Sequence, residues 1–97
     1  MLIRAIGPGL SQFNVPGALA NPKLELFSGS TKINENDDWG GTAALATLFG
    51  NVGAFSIPAT SRDAVLLVTL APGSYTAQVS GVGNTSGVAL VEVYEVP

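Results

Sequence analysis

The run APGSYTAQVSGVGNTSGVALVEVYEV, residues 71–96, settles the class of the chain. Tyr75, Ala77 and Val79 alternate with Thr76, Gln78 and Ser80, and a period of two puts the two sets on opposite faces of a strand. Pro72 and Gly73 turn the chain before that strand. Glycine-rich residues 81–87 read as a flexible hairpin loop after it, and residues 88–96 as the longest strand of all.

The same alternation recurs toward the N-terminus. Residues 64–70, AVLLVTL, are apolar on both faces and predict a central strand covered twice. Residues 55–57 predict a short edge strand ended by Pro58. Leu45, Leu48, Phe49 and Val52 fall at i, i+3, i+4 and i+7, so a short helix is expected from Thr42 to Phe49. Thr42 is placed to cap it and Gly50 to take the left-handed position beyond its end. Two turns are unstable alone, so this helix must lean on a sheet. Leu24 and Leu26 alternate with Lys23, Glu25 and Phe27, and Ser28, Gly29 and Ser30 turn the chain into a returning arm over 31–34. Residues 10–22 read as an ordered loop with one helical turn, pinned by Phe13, Val15 and Leu19. Leu2 to Ile6 reads as a strand interrupted by Arg4 and stopped at Gly7, Pro8 and Gly9. About six to eight short strands with one helix predict an all-β fold, an antiparallel, jelly-roll-like β-sandwich.

Composition narrows the function. Ninety-seven residues suit one domain, 1–97, with a single core. With no cysteine and no histidine, disulfides, thiolate metal sites, the cysteine nucleophile and the commonest general base are all excluded. A net charge of -3 with only four scattered cations, Arg4, Lys23, Lys32 and Arg62, argues against a nucleic-acid partner. A mean hydropathy of +0.39 is the opposite of a disordered chain. No apolar run approaches the roughly 20 residues of a membrane span, so membrane insertion is not expected.

Few side chains suggest chemistry. Asn34, Asn36 and Asp38 recur at alternate positions with Gly40 following, as oxygen ligands do in calcium loops. That pattern wants glycine sixth and glutamate twelfth, where Trp39 and Leu45 stand. Two readings follow for Asn36, Asp37 and Asp38: an Asx turn capping the next helix, or a weak calcium site. Asp37 and Asp38, being adjacent, diverge and do not flank a substrate bond. There is no serine nucleophile elbow. The spacing of Gly81, Gly83 and Gly87 misses the dinucleotide fingerprint and precedes a strand. Asn84, Thr85 and Ser86 form a sequon that reads as turn chemistry. No enzyme is expected. Arg4 and Glu92 lie in apolar strands and are expected to pair, with Asp63 as the other partner open to Arg4. Trp39, beside two glycines, covers the end of the core or offers a sugar-stacking platform.

LIRAIGPGL at 2–10, VPGALANPKLELF at 15–27, NDDWGG at 36–41 and the 71–96 run together resemble a repeated module of large secreted and surface proteins of environmental bacteria. More distantly, the NPKLELF to NDDW and PGSYTAQVSG to GVALVEVY segments are similar to the bacterial pre-peptidase C-terminal domain. That family implies a jelly-roll-like sandwich on secreted enzymes, serving attachment, targeting or substrate contact. Some members bind calcium through acidic loops, which here falls on Asn36, Asp37 and Asp38. In the fuller repeat the LIRAIGPGL strand is preceded by further strands, so the resemblance implies an incomplete module with an unpaired edge.

Apolar strands near both ends, the last running to Pro97, point to one unit of something larger. The expected self-association edges are Leu2, Ile3 and Ile6 of the first strand and Val91 and Val93 of the last. The expected role is an extracellular or cell-surface structural or adhesive module, a fibre or assembly subunit whose partners are further copies or tandem-repeat neighbours. The alternative is a carbohydrate- or protein-binding accessory domain with a weak calcium site. No other cofactor is expected.

Overall fold

The computed structural model describes residues 1–96. It is an all-β sandwich of two three-stranded antiparallel sheets with one short helix. The first sheet has the order β4-β1-β6, formed by Ala64–Leu67, Leu2–Ile6 and Leu90–Tyr94. The second has the order β3-β2-β5, formed by Thr31–Asn36, Pro22–Ser28 and Tyr75–Gly81.

Strand β1 is the spine. All five of its residues are buried because both of its faces are covered. Ile3 and Ala5 face Leu24 and Leu26 of β2 between the sheets, with Ala64 and Leu66 beside them. Leu2 and Ile6 face the other way, into a cluster with Leu10, Trp39, Phe49 and Ile57. The segment 64–70, expected to be central, instead supplies the edge strand β4, whose Leu67 is exposed. Its first three residues are buried on both sides because the chain leaving β3 shields that edge. Asn36 Oδ1 accepts the Val65 N–H at 3.1 Å, and Asp63 O accepts the Trp39 N–H at 3.0 Å.

The β2–β3 hairpin forms as expected, but β3 runs on to Asn36, so Glu35 and Asn36 belong to a strand and not to a loop. Residues 55–57 form no strand. The expected helical turn is a 3-10 helix over Pro8–Phe13. Helix α1, Ala43–Asn51, extends past the expected end and carries Gly50 inside it. The left-handed residue beyond its end is Gly53, at φ 77°. There Ala54 N–H bonds Phe49 O at 2.8 Å and Gly53 N–H bonds Gly50 O at 3.3 Å, the paired bonds that close a Schellman end.

Strands β5 and β6 do not form a hairpin. They belong to different sheets, so residues 82–89 cross from one layer to the other. This crossing is pinned: Val82 N–H bonds Asn21 O at 2.9 Å, and Ala18 and Val88 make a parallel bridge. A Cβ on Gly87 would stand 2.8 Å from Gly17 O, so the two segments approach as only glycine permits. The longest strands are β2 and β5, each of seven residues, whereas β6 has five and stops at Tyr94. Pro97, to which the last strand was expected to run, lies outside the described residues.

Candidate functional site

The β1–β6 register sets Arg4 opposite Glu92, on the helix-side face of the first sheet. Arg4 Nε and Nη2 donate to Glu92 Oε1 at 2.9 and 2.6 Å, and Nη1 donates to Phe55 O at 2.7 Å. The guanidinium lies 4.7 Å from the Phe49 ring centroid and 4.5 Å from that of Phe55. A fully buried cation is thus neutralised, hydrogen-bonded and stacked on two aromatic rings. Tyr94 donates to Glu92 Oε2 at 2.6 Å, and this bond to a carboxylate raises the phenol above its ordinary pKa.

Asp63 is not the partner of Arg4. Fully buried, it accepts the Gly7 and Gly9 N–H groups at 2.7 and 3.1 Å and the Ser61 hydroxyl. It is the anchor of the loop that leaves β1. Its sequence signal was a lone carboxylate before an apolar run, with Gly7, Pro8 and Gly9 as the loop needing donors satisfied.

The other expected site residues do not converge. Trp39 is 5% exposed, packs its ring 5.1 Å from that of Phe49 and donates Nε1–H to Pro58 O at 3.2 Å. It closes the core and offers no sugar platform, because both its face and its polar tip are occupied. Asn36 is a latch between sheets, with Oδ1 on Val65 and Nδ2 donating to Asp38 O at 3.0 Å. Asp37 and Asp38 are exposed, Thr42 makes no side-chain cap and no acid lies in the first turn of α1, so the acidic segment does not cap that helix. Among the described residues no three acidic, histidine or cysteine side chains gather as metal ligands would. Glu35 instead meets Lys32 and Lys23, both at 3.1 Å, and these ammonium groups hold its carboxyl below the usual range. Glu35 in turn raises Lys32.

The two long sides of the sandwich differ. The β3/β4 side is sealed by the Asn36 latch, and β3 carries charge and a bulge opposite Leu26 and Phe27. The β5/β6 side is open. Leu2, Ile3 and Ile6 are not an association edge, because β1 is paired on both sides. Val91 and Val93 do lie on an edge strand, beside Ala5 and Ile3 in register. They are 46% and 57% exposed, although they share the face that packs between the sheets. Across from them, Ala77 and Val79 of β5 neighbour Leu26 and Leu24. Between the two edges runs a cleft of about 410 Å³ lined by Ile3, Leu26, Leu70, Tyr75, Ala77 and Val93. A second hollow continues it past Val79 and Val91 toward Leu19. The outer edges of β5 and β6 have no strand beside them among the described residues.

No family model, curated protein or solved structure matches the chain. The arrangement itself therefore carries the functional argument. On the β5/β6 side it offers, among the described residues, two unpaired strand edges and an apolar gap between them.

Proposed function

We propose that this chain is a non-enzymatic structural module that packs its open β5/β6 side against further copies or neighbouring repeats, building a fibre or surface assembly through strand-edge contacts. One observation carries this: Val91 and Val93 are half exposed on the face that elsewhere forms the core between the sheets. Free-standing sandwiches blunt such edges with charge, proline or bulges. β5 has no charged residue or proline, and the only charge of β6, Glu92, is tied to Arg4 on the opposite face. An extracellular or cell-surface setting rests on the resemblance to repeats of secreted proteins.

The test is sedimentation velocity from low to high micromolar concentration. Wild type and Ile33→Lys, which alters the exposed β3 side, are expected to associate, and Val93→Lys is expected to remain monomeric. Association that Val93→Lys leaves unchanged would count against this role for the open side.

A further inference from the structure

We infer that the occupant of the open side is a second copy of this chain, joined across a two-fold axis with β6 antiparallel to β6 and β5 beside β5. The inference rests on the packing role proposed above and adds the identity and symmetry of the partner: a two-fold contact closes as a dimer, which is then the building block of any larger assembly.

Charge is the first argument. The β3 edge carries Lys32 and Glu35, and β4 follows the exposed Arg62, so charge flanks the closed side. On the open side Glu92 is bonded by Arg4 and Tyr94, away from the face of Val91 and Val93, and β5 is uncharged. Two open sides can therefore meet without setting unneutralised like charges against each other, as a self-complementary contact requires. A strongly charged peptide would find no free counter-charge on β5 or β6.

Geometry is the second. A two-fold axis perpendicular to a sheet pairs an edge strand antiparallel with itself, and both sheets are already antiparallel. Residues of β5 and β6 line the same cleft, so one axis serves both edges. Each three-stranded sheet would become six-stranded, satisfying edge backbone groups that no small apolar ligand can satisfy. Val91 and Val93 of each copy would then cover the open end of the gap.

The absence of native cysteine makes a single-cysteine test clean. Val91→Cys and Val93→Cys, alone and mixed, are expected under mild oxidation to yield a disulfide-linked dimer in the one combination that the antiparallel register sets opposite across the axis, with thermal melting of the reduced protein unchanged because both sites are exposed. Val93→Cys mixed with Ala77→Cys is expected to give no preferred mixed dimer. A predominant 93–77 mixed dimer would overturn this axis and set β6 of one copy beside β5 of the other, leaving the packing role intact. A chain that stays monomeric at high micromolar concentration would overturn the second copy as occupant. Binding of a synthetic peptide of residues 88–96 to that monomer, lost in Val93→Lys, would then preserve the packing role alone. Failure of the peptide to bind would remove both.

Discussion

Arg4 and Glu92, 88 positions apart in sequence, face each other across β1 and β6 with Nη2 2.6 Å from Oε1. Their side chains are 0% and 15% exposed. Removing one partner leaves the other charge buried and unpaired, so Arg4→Ala or Glu92→Ala should each cost about 3–5 kcal/mol in chemical denaturation. Arg4→Met, which fills the slot between Phe49 and Phe55 without a charge, should fall well short of that in its Glu92→Leu background. A negligible cost for Arg4→Ala would show that the pair is not desolvated.

Tyr94 reports on the same carboxylate. Its hydrogen bond to Glu92 raises the folded-state pKa above the unfolded one. The stabilisation is therefore complete below the unfolded value of about 10 and is lost as pH rises through the folded value. Ultraviolet titration should find one phenol ionising above the ordinary range, and Glu92→Gln should bring it back. A titration identical in the two proteins would place Tyr94 away from Glu92.

Asp63 ties the end of β1 to the start of β4 by accepting from Gly7 and Gly9. Asp63→Ala strands two buried donors and should cost on the order of 3 kcal/mol. Asp63→Asn keeps one accepting oxygen, so its cost should be clearly smaller. Equal losses in thermal or urea unfolding would contradict this role.

The end of α1 separates two glycines that look alike in sequence. Gly50 lies within the helix with open space around its Cβ position, so Gly50→Ala should stabilise by roughly 0.5–1 kcal/mol. Gly53 sits at φ 77° and Gly53→Ala should destabilise by about 1–2 kcal/mol. The opposite signs are the checkable feature.

Much of this architecture is legible in the residues. The period-two runs give β2 and β5, and isolated charges in apolar strands must find partners, which foretells Arg4 with Glu92. Other features depend on contacts distant in sequence. β1 and 64–70 are both apolar on two faces, and only pairing decides that β1 is central and β4 an edge. A glycine-rich link looks the same whether it closes a hairpin or crosses between layers, and here Val82 and Val88 bonding to 17–21 makes it cross. The periodicity of α1 fits an end at Gly50 or at Gly53, and the bonds of Gly53 to Gly50 and of Ala54 to Phe49 fix the later one. Of the residues expected at an association edge, Val91 and Val93 lie on an edge strand, whereas Leu2, Ile3 and Ile6 are inside.

Amide hydrogen exchange of β5 and β6, followed as concentration rises from low to high micromolar, tests the open side most directly. The expected result is that residues 75–81 and 90–94 gain protection with concentration while β3 exchanges at an unchanged rate. Exchange at β5 and β6 that is independent of concentration, in a chain that nonetheless associates, would contradict the open side as the interface.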